Sequence, residues 1–321
     1  MNPQEILKKK EDLIRRLGPW TAHNVHLGGE VYTIDHKVVG QEIVLRRNIQ
    51  IIEDIAHRPI KELRVLDLAC LEGIYGIELA LRGANVVGIE GRASNLEKAR
   101  FVKEILGLKS LELYQADVRH INAAKYGVFD VVICAGILYH LDTPDVFNFV
   151  ERIYEMCSHF SIFDTHVSIA PRKVCIHDNR KYFGRSFSEH KADSRPDQKA
   201  KQLWASLDNV NSFWFTMPSL LNLLCHTGFT SVYQCHNPST VHDWADRVTL
   251  VAIKGTREPL LSSPLLNSVG EEDWPEKPVN PVHRSQQTRI RLLVKRLSKA
   301  CPGAVKRFLK KVIRKSPVNA R

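Results

Sequence analysis

The sequence predicts an α/β fold around a mostly parallel sheet. Three observations carry that expectation. Short β-branched runs begin at residue 63, helix-spaced stretches separate them, and the first run empties into a loop of small residues before a helix. Strands are expected at 63–68 (LRVLDL), 85–90 (NVVGIE), 110–115 (SLELYQ), 129–134 (FDVVIC) and 159–164 (HFSIFD). Helices are expected between them at 73–82, 92–106 and 144–157, the last with Thr143 as N-cap and Pro144 as its first helical residue. Alternation of strand and helix implies βαβ crossovers, hence parallel pairing.

The flanks read differently. Ile6, Leu7, Leu13, Ile14 and Leu17 recur near helical spacing and predict a helix over 1–18, ended by Gly18-Pro19. An irregular stretch, PWTAHNVHLGGEVYTID, follows with short β-like pieces. Val38, Ile43, Val44, Ile51, Ile52 and Ile55 predict a helix over 37–57, closed by Pro59. Residues 166–210 are polar and basic and read as an insertion or lid. A helix at 217–227 with Gly228 as its C-cap is expected next, then strands near 229–235 and 247–254. The expected organisation is an N-terminal helical extension (1–60), a catalytic domain (61–255, with the insertion 166–210), a linker rich in Pro and Ser (256–285) and a tail (286–321).

The chain has 321 residues, 44% of them apolar and 25% charged, as a soluble globular protein would. No apolar run approaches the roughly 18 residues of a membrane span. The polar N-terminus carries no apolar leader, so a cytoplasmic protein is expected. The seven cysteines are scattered without CxxC spacing, which suits reduced thiols. The 14 histidines form no ligand-spaced cluster, so no metal is expected. The net charge of +11 is a property of the tail: residues 284–321 hold 13 of the 46 Lys and Arg and none of the 35 Asp and Glu. The remainder is close to neutral, and the body of the protein need not bind a polyanion.

Four strand ends carry the chemistry. In VLDLACLEGIYGIELA (65–80) a strand runs into a small-residue loop and then a helix, which lets backbone N–H groups approach a bound nucleoside. VVGIEGR (86–92) is a strand ending in Glu90, where a carboxylate accepts from both ribose hydroxyls. Asp117 follows the third strand, beside Val118, where an acid takes an adenine amino group. FDVVICAGILYHL (129–141) ends a buried strand in the small residues Ala135 and Gly136. In order and together they point to one ligand site at the carboxyl edge of one sheet. A dinucleotide fits less well, because the loop Ala69-Cys70-Leu71-Glu72-Gly73 lacks GxGxxG and Asp67 would repel a pyrophosphate.

Residues 61–165 resemble the class I S-adenosylmethionine-dependent methyltransferases. The first motif of that family is an acid followed by alternating glycines; here it is Asp67-x-Ala69-x-Leu71-x-Gly73, which keeps only the last glycine and narrows the loop. The resemblance implies a Rossmann-like seven-stranded sheet with its last strand antiparallel, the final hairpin coming from the strands after residue 228. It implies S-adenosylmethionine as cofactor, with Asp67 near the methionine amine, Gly73 at the turn, Glu90 on the ribose, Asp117 by the adenine, and Ala135-Gly136 lining the pocket beside Ala69, Cys70 and Val118. PWTAHNVHLGGEVYT (19–33) together with GILYHL (136–141) resembles, more loosely, methyltransferases related to the tRNA wobble-uridine carboxymethyltransferases.

Methyl transfer from a sulfonium is an in-line displacement that needs an aligned acceptor and, for oxygen, a general base near neutrality. His140, after the fourth strand, and His166 with Asp164, after the fifth, are the candidates. Alternatively, His140 packs on the next helix and Asp164–His166 is a structural hydrogen bond. Trp20, His23 and Tyr32 form either a cover over the ligand or an N-terminal packing segment. Trp214 and Phe215 read as core. In the tail, Ile290, Leu293, Val294 and Leu297, and again Val305, Phe308, Leu309 and Val312, share helical faces opposite Lys and Arg. That pattern favours an anionic membrane surface over RNA or a solvated tail. The function expected is O-methylation of a small molecule, glycan or lipid-linked glycan. A tRNA-modifying methyltransferase and a non-catalytic membrane- or partner-binding protein are the alternatives.

Overall fold

The computed structural model describes residues 1–37, 41–237, 246–262, 273, 274 and 276. The basic tail, most of the linker and Val38 lie outside the described residues. The chain opens with α1 (Pro3–Leu17), whose first turn is closed by a capping box between Asn2 and Glu5 and which ends at Gly18. Strands β1 (His26–Gly28) and β2 (Val31–Tyr32) pair as a small ribbon, and α2 (Gln41–Ala56) follows.

The expected alternation then appears: β3 (Arg64–Leu68), α3 (Ile74–Leu81), β4 (Asn85–Glu90), α4 (Ala93–Leu106), β5 (Leu111–Gln115), the short α5 (Ala123–Tyr126), β6 (Phe129–Ala135), α6 (Asp145–Met156) and β7 (Cys157–His166). After residue 166 come β8 (Lys173–His177), β9 (Arg180–Ser188), α7 (Pro196–Lys201), β10 (Asn211–Phe215), α8 (Met217–Thr227), β11 (Ser231–Cys235) and β12 (Arg247–Ile253). The main sheet has seven strands in the order β11-β12-β7-β6-β3-β4-β5. Strands β3 to β7 pair in parallel, and β12 runs antiparallel between β7 and β11. This is the Rossmann-like sheet with an antiparallel last strand that the sequence led us to expect.

The sheet is covered on both sides, which is why its central strands read as nearly continuous apolar runs. Val65, Val86, Val131 and Ile133 face α1, α2 and α4, whose Ile6, Leu13, Ile52 and Val102 complete that layer. Leu66, Leu68, Val132 and Phe163 face the other way, against Phe147 and Val150 of α6 and Leu220 and Leu224 of α8. Each such side chain contributes about 1.5–3 kcal/mol by leaving water. The parallel register brings the ends of β3, β4 and β6 to one edge of the sheet.

One local expectation is corrected, and two segments gain detail. Thr143 does not cap α6: Pro144 stands at the N-cap position behind a cis Thr143-Pro144 bond, with no side-chain cap. The stretch 166–210, expected as an insertion or lid, holds regular structure. It supplies β8 and β9, which with β10 form a second, three-stranded antiparallel sheet. In β9 Arg180 and Lys181 are exposed, while Tyr182, with Phe213 and Phe215 of β10, joins the core. Part of the linker is anchored: Glu276 accepts from the Thr216 and Ser219 hydroxyls at the start of α8, at 2.5 and 2.9 Å, and Asn222 bonds both backbone groups of Trp274.

Candidate active site

The site starts in the loop between β3 and α3. Ala69, Leu71 and Gly73 all adopt left-handed backbone, at φ 50°, 51° and 86°. The alternation that glycines would serve is therefore kept with two non-glycine residues, at a strain of about 1 kcal/mol or more each. Gly73 is needed for space as well: a Cβ there would lie 3.1 Å from the Ala99 Cβ. Gly73 does not itself line the cavity; it turns the chain into α3.

That loop, the ends of β4 and β6, and residues 203–207 enclose one cavity. Asp67, Ala69, Cys70, Glu90, Val118, Ala135, Gly136 and His140, all expected from the sequence, line it. Asp67 is buried and accepts from the Gly76 N–H at 3.0 Å. Burial pushes its carboxyl up to about 7, helped by nearby Glu90 and opposed by that N–H. Glu90 is also raised by burial, against hydrogen bonds from the backbone N–H groups of Arg92 (2.7 Å) and Leu71 (2.9 Å), one on each oxygen. Each oxygen keeps a further lone pair, so the carboxylate is oriented yet able to accept more. The Cys70 thiol is pushed well up by burial and stays protonated.

Two buried carboxylates on neighbouring strand ends suit a ligand that brings an ammonium and a diol. Gly136, at φ 83°, leaves open space where a Cβ would stand, with the Tyr139 Oη and an Arg247 nitrogen next at 3.9 and 4.0 Å. The residues present thus fit an adenosyl amino acid, which Asp67, Glu90 and Ala135-Gly136 would hold.

Other expected residues go elsewhere. Asp117 does not line the cavity. Its carboxylate takes the Arg119 guanidinium (2.5–3.1 Å) and the Arg119 N–H (2.8 Å), which outweigh burial and hold its carboxyl below the usual range. The cause is the arginine two residues on, which also reaches Asp208 at 2.9 Å. Ala116 and Val118 take the position beside the cavity instead. Asp164 and His166 do not pair with each other. Asp164 accepts from Arg247 Nε (2.5 Å) and Thr249 Oγ1 (2.7 Å) on β12. His166 Nδ1 meets Asp246 at 2.8 Å, and its ring stacks on Trp214. Both sit behind the cavity wall, and Asp164 serves to orient Arg247, which does line it.

His140 is different. It lines the cavity and its Nδ1 lies 2.9 Å from Glu189 Oε2. Glu189 is buried and also accepts from Ser212 Oγ (2.7 Å) and the Ser206 N–H (2.9 Å). Burial alone would raise its carboxyl; these bonds, with His140 first, hold it below the usual range. A carboxylate there makes Nδ1 the protonated nitrogen and leaves Nε2 with its lone pair as an acceptor.

Sequence reasoning missed Glu189, Arg247, Tyr139, Tyr75 and the segment 203–207. Tyr139 stands one residue before His140, and its hydroxyl oxygen accepts a hydrogen bond from Arg247. Arg92 fixes the segment: its guanidinium donates to the carbonyls of Ala200, Gln202, Ala205 and Ser206 at 2.8–3.0 Å. Leu207 then lies on Gly91, where a Cβ would meet it at 2.5 Å. Of the expected cover, only His23 reaches the cavity. Trp20 packs on Phe101 in the core, and Tyr32 stacks with His26 on the small ribbon. Trp214 and Phe215 are core, as expected.

Residues 60–206 match a family model described as a methyltransferase domain. The ubiquinone biosynthesis O-methyltransferase of Rickettsia prowazekii (strain Madrid E) is 35% identical over 99 residues, 30% of this chain and 38% of the relative. That of Psychrobacter cryohalolentis is 32% identical over 114 residues, 35% and 39% of the two chains. The chain therefore matches about two fifths of the length of these relatives. Among solved structures, the N-terminal domain of EvdMO1, crystallised with SAH and D-fucose, superposes with a TM-score of 0.61 at 24% identity, covering 79% of this chain and 98% of that domain. Full-length EvdMO1 gives a TM-score of 0.51 at 22% identity, over 79% and 48% of the two chains. These superpositions show a shared fold.

Proposed function

We propose that this chain is a class I S-adenosylmethionine-dependent methyltransferase, through the methyltransferase domain matched at residues 60–206, and that it methylates an oxygen of a small molecule or glycan. The observation that carries this reading is the His140–Glu189 pair opening into the same cavity as Asp67 and Glu90. The O-methyltransferase relatives support it, as does the fit of the cavity to an adenosyl amino acid.

In this mechanism Asp67 takes the ammonium of the amino-acid end and Glu90 the ribose hydroxyls. Ala135 and Gly136, with small or no side chains, would leave room for the cofactor beside the sheet edge. When bound, the cofactor would supply an electrophilic methyl on a sulfonium, whose sulfur would become a neutral thioether once the methyl had passed to the acceptor oxygen. His140 Nε2 takes the proton of the acceptor hydroxyl as the oxygen attacks, and Glu189 stabilises the imidazolium that results. Arg92 holds residues 203–207 over the cavity, which excludes water from the transfer.

His140→Ala is expected to lower kcat by roughly 10²–10⁴ while leaving cofactor affinity within about twofold. Steady-state methyl transfer, paired with titration of S-adenosylhomocysteine, checks this. An unchanged kcat would remove His140 from the chemistry.

A further inference from the structure

His23 is held more firmly than a loop residue needs to be. Its N–H donates to Glu72 Oε2 at 3.1 Å, and its carbonyl accepts from Thr33 Oγ1 at 2.8 Å. Glu72, fully buried, also takes the N–H groups of Thr21 (2.7 Å) and Ala22 (3.2 Å). Lys98 completes the cluster, at 3.3 Å from Glu72 and 2.6 Å from the Pro19 carbonyl. A buried ion pair thus pins residues 19–23 against the first turn of α3.

The ring of His23 is 8% exposed by residue and lines the cavity with Asp67 and Tyr75. Its Nδ1 accepts the Ile74 N–H at 3.1 Å. That bond requires the proton to sit on Nε2. Burial lowers the imidazole pKa to about 4, against the pull of Glu72, so the ring is neutral. No described residue accepts from Nε2. Nε2 thus keeps its N–H for an acceptor in the cavity, and a charged acceptor there would gain a hydrogen bond.

We propose that His23 Nε2 donates to the α-carboxylate of the cofactor's amino-acid end; this deepens the cofactor reading above and rests on it. The carboxylate shares its carbon with the ammonium assigned to Asp67, so the two partners must be neighbours. A neutral donor also suits this place better than Lys or Arg. A cation there would pair with Asp67 and compete with the ammonium.

The test is calorimetric titration of the full chain with S-adenosylhomocysteine and with its decarboxylated analogue. Wild type is expected to prefer the carboxylated compound by about tenfold or more. His23→Ala is expected to lose that preference and bind both compounds alike. His23→Gln, whose amide N–H reaches the place of Nε2, is expected to keep part of it. Equal weakening of both compounds in His23→Ala, or a preference left intact, overturns the proposal by making His23 a packing residue. A wild type that binds neither compound overturns the cofactor reading itself, and that result is distinct from any pattern among the variants.

Discussion

Asp67 is the residue whose ionisation most constrains ligand binding. Its folded pKa, near 7, lies well above the roughly 3.9 of an unfolded aspartate. Between those values the folded chain holds a proton that the unfolded chain has lost, so ionising Asp67 lowers fold stability as pH rises from about 4 through 7. A bound ammonium reverses the preference and favours the carboxylate. S-adenosylhomocysteine affinity is therefore expected to rise severalfold between about pH 6 and 8, with proton release on binding below pH 7. Titrations in two buffers of different ionisation enthalpy measure that release, and Asp67→Asn should abolish most of it. Glu90, also raised by burial, accounts for any remainder. Binding without proton release or pH dependence would contradict the assignment. Asp67 and Glu90 were legible because an acid at the end of an apolar run is a local pattern. Glu189 and Arg247 were not, since they join their partners His140 and Asp164 across 49 and 83 residues of chain. Asp117 misled because the spacing says nothing of Arg119 competing for its carboxylate.

At the scale of elements, strand and helix were readable where burial is two-sided. The expected 85–90 and 217–227 coincide with β4 and α8, and the remaining core elements differ by a few residues at their ends. The second sheet was hidden because β8 spans only five residues and β9 mixes Arg180, Lys181, Gly184, Arg185, Ser186 and Ser188 with its aromatics, which resembles loop composition. The N-terminal segment was hidden for another reason: its structure comes from Glu72 and Lys98, not from its own sequence. Glu72→Ala leaves the Lys98 ammonium buried without its partner and frees three backbone N–H groups. The expected loss is about 3–5 kcal/mol, seen as a fall of several degrees in Tm. Thermal unfolding monitored by circular dichroism checks this. A Tm within a degree of wild type would show that residues 19–23 are held by other contacts.

Across the whole molecule, the sheet order gathers residues that are distant in sequence. The ends of β3, β4 and β6 meet at one edge, the second sheet brings Glu189 to His140, and β12 brings Arg247. The proposed acceptor side is built from the less regular half of the chain, so the sequence pointed clearly to the cavity at the strand ends and only broadly to what would receive a methyl group. No described helix is long and apolar enough to cross a membrane. The most direct measurement is transfer of radiolabelled methyl from S-adenosylmethionine by the full-length chain into fractionated extract of its source cell. Label is expected in small-molecule or glycan material, stable to nuclease and lost with His140→Ala. Label confined to nuclease-sensitive material would contradict the acceptor class, and no label in any fraction would contradict methyl transfer itself.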